Sequence, residues 1–215
     1  MTESDPAIAT MAALRGIHEV LHFTTNRGLL GIFATGGVSA RDLLYTDDYI
    51  EHIYTPNCAE RLKDADWTGY VNLSIGRVNT QLFKKSERWH TIDDVYWVVL
   101  AFDAELLAHR NVYFATTNNI YPCVKRDTGA SGLAALYDRV IEWGYYKTKI
   151  ERKPTMPTSF PTDPQAEVLY PKQVPLDYLR RIYVREPEHI DWVNSLFPLL
   201  QVSRVPVEHK PEVFQ

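Results

Sequence analysis

The chain has 215 residues, of which 45% are hydrophobic and 12% aromatic, so it can bury a substantial core, and we expect one domain over residues 1–215 rather than a disordered chain. Its net charge of −4 excludes a global attraction to nucleic acid or acidic membranes, so a polyanionic partner must be held by local patches. The two cysteines are too few for a disulfide scaffold, and no apolar run is long enough to span a membrane.

The N-terminus begins with acidic residues and lacks the basic and apolar regions of a signal peptide. We therefore expect a flexible N-terminus over residues 1–15 and a cytoplasmic protein. The next segment, VLHF, is typical of a short strand. TTNRGLLGIFATGG then predicts a helix that Thr24 or Thr25 caps and Gly36 ends. This arrangement places His22 at a strand-to-helix junction.

The middle of the chain predicts three strands. Residues 38–69 are rich in charged and turn residues, which indicates loops and short helices. YVNLSI alternates apolar and polar residues, as a half-buried strand does. VYWVVLAF is apolar on both faces and predicts a central strand, and NVYFATTNN predicts another.

The last third mixes helices and strands. SGLAALYDRVIEWG has apolar residues at helical spacing and predicts a helix over 131–144, followed by a proline-rich, basic loop over 145–164. QAEVLYP and RRIYVRE predict strands, and HIDWVNSLFPLL predicts a late helix. Because the strands do not alternate regularly with helices, we expect a mixed α+β fold.

Glu167 is a carboxylate inside an apolar run. On the predicted strand, Gln165 and Glu167 leave the same face, and Ala166, Val168 and Tyr170 point the other way. An ionised glutamate in a core would cost several kcal/mol unless it had a partner. The residues alone leave two interpretations open, a cleft-facing site and an exposed edge strand.

The remaining polar motifs are weak when taken singly. A lone His22 is also compatible with a half-buried histidine that bonds the backbone. No glycine fingerprint of a dinucleotide-binding loop is present in the sequence. His52, Cys58, His90 and Cys123 lack the spacing of metal ligands, so we expect no metal site.

Four segments together resemble the DarT family of bacterial DNA ADP-ribosyltransferase toxins: HFTTNRGLLGIFATGGVSARDLL, YVNLSIGRVNTQLF, FATTNNIYP and PTDPQAEVLYP. The resemblance extends over roughly residues 17–185 and keeps the order of the motifs. It implies an ADP-ribosyltransferase fold, in which a split, mixed β core surrounded by helices holds NAD in the central cleft.

The resemblance also implies site residues. The family's opening His-x-Thr contacts NAD and corresponds to His22, Phe23 and Thr24, and further NAD contacts fall near Gly31 and Ser39. An arginine upstream of the YVNLSI strand contributes to NAD binding and catalysis. By position it corresponds to Arg61, with Arg77 as the competing assignment. The catalytic glutamate corresponds to Glu167.

In related transferases the loop before the catalytic glutamate selects the acceptor. Here that loop contains Lys147, Lys149, Arg152 and Lys153 beside two tyrosines, a combination that suits phosphate neutralisation and base stacking on single-stranded DNA. A solvated charged loop is the alternative. Gln165 is expected to hydrogen-bond the acceptor.

The resemblance thus predicts a toxin that transfers ADP-ribose from NAD to a base of single-stranded DNA and releases nicotinamide, with guanine favoured and thymine second. It implies a macrodomain antitoxin of the DarG type and no membrane partner. Two alternatives stay open: a transferase acting on RNA or protein, and a catalytically idle nucleotide- or nucleic-acid-binding module.

Overall fold

A computed structural model of the chain describes residues 4–44, 66–89 and 94–215. Arg61, His52, Cys58 and His90 lie outside the described residues. Within them the fold is the mixed α+β type that the sequence predicts, a large sheet with helices packed around it.

The described helices are α1 (Pro6–Arg15), α2 (Asn26–Thr35), α3 (Thr80–Trp89), α4 (Gly129–Ala135) and α5 (His189–Leu199). The described strands are β1 (Glu19–Thr25), β2 (Gly37–Ser39), β3 (Tyr70–Ile75), β4 (Trp97–Asp103), β5 (Tyr113–Ala115), β6 (Arg126–Thr128), β7 (Val140–Trp143), β8 (Thr148–Glu151), β9 (Glu167–Pro171), β10 (Gln173–Pro175), β11 (Leu179–Val184) and β12 (Val207–His209). None of these helices is long and apolar enough to cross a membrane.

The main sheet has eight strands in the order β12-β11-β4-β1-β3-β9-β5-β6. Strand β1 pairs with β4 along its whole length, but it pairs with β3 only at Val20 with Ile75 and at Leu21 with Ser74. Beyond Leu21 the two strands separate. The sheet therefore splits between β1 and β3, and the split opens a cleft on the side of the strand-to-helix junction.

Apolar side chains fill both faces of the sheet. The main core packs α1, α2 and α5 against one face and contains Val98, Leu100 and Phe102 of β4. A smaller core on the other face contains Val99 and Phe83. Because β4 is buried on both faces, its continuous apolar sequence reflects its central position.

The predicted first helix is confirmed as α2. Thr25 caps it by accepting a hydrogen bond from the Gly28 N–H at 3.1 Å. Gly36 ends it in the left-handed region, with φ of 77°, a conformation that glycine adopts without steric cost. The cap fixes the direction in which the chain leaves β1, and so it fixes one wall of the cleft.

The prediction of one helix over 131–144 is wrong. Helix α4 ends at Ala135, and residues Val140–Trp143 form β7, which pairs with β8 inside the segment predicted as a loop. Thr162 holds the chain between α4 and β7, because its N–H donates to the Leu136 carbonyl at 2.9 Å and its hydroxyl donates to the Asp138 carbonyl at 2.8 Å. These contacts with a distant segment end the helix.

The N-terminal segment also differs from expectation. The sequence predicts a flexible terminus over residues 1–15, whereas Pro6–Arg15 form α1. Asp5 caps this helix by accepting a hydrogen bond from the Ala7 N–H at 2.9 Å. Ile8 and Ala12 are buried in the main core, and their burial holds the helix on the domain.

Candidate active site

A cavity of about 220 Å³ lies at the split between β1 and β3. Its walls come mainly from β1, α2, β2 and β3, and Glu167, the first residue of β9, also lines it. The structure brings together six residues to which the resemblance assigned roles in binding NAD or in catalysis: His22, Phe23, Thr24, Gly31, Ser39 and Glu167.

His22 lies where the two strands separate. Its Nδ1 is 3.1 Å from the Asn72 carbonyl oxygen of β3. A carbonyl oxygen only accepts, so this contact places the proton on Nδ1. The ring thus bridges β1 and β3 just past their last backbone pair, and this bridge fixes its orientation in the cavity.

Aromatic rings hold Phe23 in the same wall as His22. Phe23 packs edge-on against Phe83 and Trp97, with ring centroids 5.3 and 5.7 Å away. On the opposite wall, the Gln173 side-chain amide donates to the Ser39 hydroxyl at 3.1 Å. A Cβ on Gly37 would lie 2.5 Å from the Val174 carbonyl oxygen, so only glycine allows β2 and β10 to pair this closely.

Glu167 is 4% exposed and begins β9. Its Oε2 accepts a hydrogen bond from the Asn119 backbone N–H at 2.8 Å. This buried hydrogen bond fixes the position of one carboxylate oxygen. Val168 and Tyr170 lie in the main core, so the strand is anchored from behind, as its sequence predicts.

The sequence did not reveal what holds Asn119. The Arg126 guanidinium donates to both its side-chain oxygen and its backbone carbonyl oxygen. The same guanidinium lies 5.1 Å from the centre of the Trp67 ring. NVYFATTNN predicted a strand through Asn119, but β5 ends at Ala115 and Asn119 belongs to the following loop. Loop conformation gives backbone N–H donors their direction, and no residue type signals it.

Gln165 is not where the sequence placed it. Strand β9 starts at Glu167, and Gln165 lies in the turn before it, so the prediction of a shared strand face is wrong. The Asp163 carboxylate causes the turn by accepting a hydrogen bond from the Gln165 N–H at 2.8 Å. The Tyr121 hydroxyl donates a hydrogen bond to Gln165 Oε1 at 3.2 Å. This bond fixes the orientation of the Gln165 amide.

Arg77 lies near this turn. Its guanidinium lies 5.2 Å from the centre of the Phe160 ring. Burial raises the pKa of Asp163, and the positive charge of Arg77 opposes that rise. Arg77 is not among the described residues that line the cavity. The competing Arg61 lies outside the described residues, so the assignment between them stays a prediction.

The basic segment before Glu167 starts with the β7–β8 hairpin. Tyr145 and Tyr146 lie at its tip, and Tyr146 is 94% exposed. The Tyr121 ring packs against Tyr145 with centroids 5.3 Å apart. The hairpin tip is therefore joined to Gln165 through Tyr121.

The four basic residues of this segment differ in environment. Lys147, Lys149 and Lys153 are exposed. Arg152 instead donates to the carbonyl oxygens of Phe160 at 2.7 Å and Pro157 at 2.8 Å. Its guanidinium thus stabilises the loop between β8 and β9. The contact of Arg152 with DNA stays a prediction.

The described residues contain no group of three or more histidine, cysteine, aspartate or glutamate side chains that could hold a metal ion. Cys123 is a free cysteine whose thiol donates to the Gly144 carbonyl oxygen at 3.3 Å.

Three solved structures share this architecture. Thermus sp. 2.9 DarT in complex with ADP-ribosylated ssDNA aligns with a TM-score of 0.67 at 13% identity, over 100% of both chains. Thermus sp. 2.9 DarT in complex with NAD+ gives 0.64 at 14% identity, over 92% of this chain and 98% of that one. Thermosipho africanus DarTG in complex with ADP-ribose gives 0.55 at 14% identity, over 92% of this chain and 51% of that one. At these identities the likeness shows a shared fold.

A comparison with curated protein sequences gives no significant match. The family model described as DarT, ssDNA thymidine ADP-ribosyltransferase, matches residues 21–215, which include Glu167 and all of the main sheet except the first two residues of β1. The chain therefore belongs to the DarT family of single-stranded DNA ADP-ribosyltransferases.

Proposed function

We propose that this chain transfers ADP-ribose from NAD to a nucleobase of single-stranded DNA and releases nicotinamide. The observation that carries the proposal is the buried Glu167, which lines the same cavity as His22. The Thermus homologue, solved with NAD+ and with ADP-ribosylated ssDNA, supports the choice of both substrates.

The reaction breaks the bond between nicotinamide and ribose, and nicotinamide leaves with the electron pair as a neutral molecule. Positive charge develops on the ribose, as in glycoside cleavage. A fixed carboxylate beside the sugar stabilises that charge. Glu167 supplies it, because the Asn119 N–H already holds one oxygen. A nucleophilic atom of the base forms the new bond to the sugar, and a proton leaves the base.

The cavity residues hold NAD in this proposal. His22, Phe23 and Thr24 form one wall, and Gly31 and Ser39 form the other. His22 is preorganised by its bond to Asn72, so binding costs little ordering of the ring. Arg61 is proposed to bind NAD and to act in catalysis, in line with the family pattern.

The DNA strand approaches over the β7–β8 hairpin. The two exposed tyrosines at its tip offer faces for base stacking, and Lys147, Lys149 and Lys153 offer charge to the phosphates. Tyr121 links Gln165 to the tip, because its hydroxyl donates to the Gln165 amide oxygen and its ring packs against Tyr145. This amide hydrogen-bonds the acceptor base.

We propose guanine as the acceptor base, because the YVNLSI and FATTNNIYP segments resemble the guanine-directed branch of the family. Thymine is the second candidate, since the description of the matching family model names thymidine. The two bases present different donors and acceptors on their edges, so they can be separated by changing the oligonucleotide.

We further propose that the chain is a cytoplasmic toxin paired with a macrodomain antitoxin that removes ADP-ribose. The structural likeness to Thermosipho africanus DarTG in complex with ADP-ribose supports a paired system. Modified DNA that loses the adduct on addition of a macrodomain hydrolase is the expected result. An adduct that resists such hydrolases would contradict the pairing.

The direct test offers labelled NAD to single-stranded DNA, RNA and cell lysate side by side, and then to oligonucleotides in which each base is replaced in turn. We expect label on DNA only, and loss of label when guanine is replaced. Label on RNA or protein alone would favour the other acceptor classes. Tight NAD binding without turnover on any polymer would favour an idle binding module.

A further inference from the structure

Arg126 and Glu167 lie at the same level of the sheet, on the two strands that flank β5. Both residues are register partners of Ala115 of β5, Glu167 from β9 and Arg126 from β6. Cross-strand partners project from the same face of a sheet. Ala115 has the smallest side chain with a Cβ, so it leaves room above β5 for the long arginine side chain.

The Arg126 guanidinium contacts Asn119 at two points. It donates from Nε to the Asn119 side-chain oxygen and from Nη2 to the Asn119 carbonyl oxygen. Asn119 is 2% exposed. A planar guanidinium that grips both the side chain and the peptide of one buried residue fixes the orientation of that residue.

The other side of Asn119 contacts the glutamate. Its N–H donates to Glu167 Oε2 at 2.8 Å. A second contact holds the guanidinium itself, since Arg126 lies over the Trp67 ring at 5.1 Å. A chain of contacts thus runs from Trp67 through Arg126 and Asn119 to Glu167.

We propose that Arg126 is a positioning residue for the ADP-ribosyl transfer, acting through Asn119 on the Glu167 carboxylate. The proposal rests on the function proposed above. It assigns to Arg126 the task of holding the Asn119 N–H in line with the carboxylate, so that Glu167 keeps one rotamer beside the sugar. A role confined to stabilising the edge strand β6 is the competing explanation.

The two explanations differ in what changes when Arg126→Gln removes the guanidinium. A positioning role predicts a loss in kcat of about 10²-fold, because an offset of about 1 Å in a catalytic group has that effect. The KM and the Kd for NAD stay within about twofold, since Arg126 is not among the described residues that line the cavity. A purely structural role predicts a lower melting temperature with an unchanged kcat in the folded protein.

Three further variants sharpen the test. Arg126→Lys keeps the charge but cannot grip both oxygens, and we expect it to recover part of the lost kcat. Asn119→Ala keeps the donated N–H but loses one anchor of the guanidinium, so its loss should be smaller, about tenfold. Arg180→Gln is the matched control. Arg180 lies on β11, away from the cavity, and donates a hydrogen bond to Asp103 of β4 at 2.9 Å. This control should leave kcat unchanged.

The outcomes are separable from those of the proposed function. A wild-type protein without activity on any DNA contradicts the proposed function itself. An active wild type with an unchanged kcat in folded Arg126→Gln overturns the positioning role. If Arg126→Gln does not fold, Arg126→Lys and Asn119→Ala decide, and a wild-type kcat in both overturns the proposal.

Discussion

Replacing His22 by phenylalanine tests whether the bridge between β1 and β3 both holds the fold and prepares the cavity. The substitution keeps a ring of similar size beside Phe23 but removes the Nδ1 donor, which lies 3.1 Å from the Asn72 carbonyl oxygen. That carbonyl lies past the last β1–β3 backbone pair, so it loses this side-chain partner at a half-buried position.

The expected magnitude follows from this geometry. Leaving a half-buried carbonyl without its partner costs about 1–2 kcal/mol. For a domain of this size the melting temperature falls by roughly 2–8 °C. The KM for NAD rises about tenfold, equal to about 1.4 kcal/mol of binding free energy. A matched variant, His22→Asn, carries an amide N–H near the position of Nδ1. We expect it to keep most of the stability and still lose NAD affinity.

The assays are thermal unfolding of both variants and steady-state kinetics with NAD varied at saturating DNA. The His22→Phe variant should melt below His22→Asn, and both should need more NAD than the wild type. If His22→Phe matched the wild type in melting temperature and in KM for NAD, the bridge would have neither role.

Three further predictions concern other parts of the site and core. Tyr121→Phe removes the donor to Gln165 and should raise the KM for DNA several-fold with the KM for NAD unchanged, as a DNA titration at saturating NAD would reveal. Gly37→Ala places a Cβ 2.5 Å from the Val174 carbonyl oxygen. The free energy of unfolding, measured by chemical denaturation, should therefore fall by about 1–3 kcal/mol. Burial lowers the pKa of His109 below its ordinary 6.5, so the unfolded chain binds the proton more readily. The stability from this residue is complete above pH 6.5 and is lost as the pH falls towards the folded pKa, by up to about 1.4 kcal/mol per unit. His109→Phe should therefore flatten the fall in unfolding free energy as the pH drops below 6.5, and an unchanged slope would contradict it.

The sequence predicted those elements whose signals are local. YVNLSI alternates over its whole length, and β3 has the same bounds, Tyr70–Ile75. Helix α2 carries both its cap, Thr25, and its terminating Gly36 in its own sequence. In these cases the residues that decide the structure are neighbours in the chain.

The errors fall where distant contacts decide. Leu133, Leu136 and Tyr137 are buried and fit a helical period, yet Thr162 ends the helix from a distant segment. Gln165 fitted the alternation of a strand, but the Asp163 carboxylate bends its backbone into a turn. Hydrogen bonds with side chains or remote residues override a periodic pattern.

The site shows the same division. The family resemblance identified side chains that line the cavity, including His22 and Glu167. It did not identify Asn119, whose backbone N–H contacts Glu167, or Arg126, whose guanidinium contacts Asn119. A backbone donor has no residue type, so its direction is known only when the loop that carries it is known.

The central claim is that Glu167 drives transfer of ADP-ribose from NAD to single-stranded DNA. Its most direct test is the mass of a single-stranded oligonucleotide after incubation with NAD and either the wild-type protein or Glu167→Gln, a variant of equal size that can still accept the Asn119 N–H. We predict an ADP-ribose adduct with the wild type and a rate at least about 10²-fold lower with the folded variant. An unmodified oligonucleotide with the wild type, or equal rates with both proteins, would contradict the account.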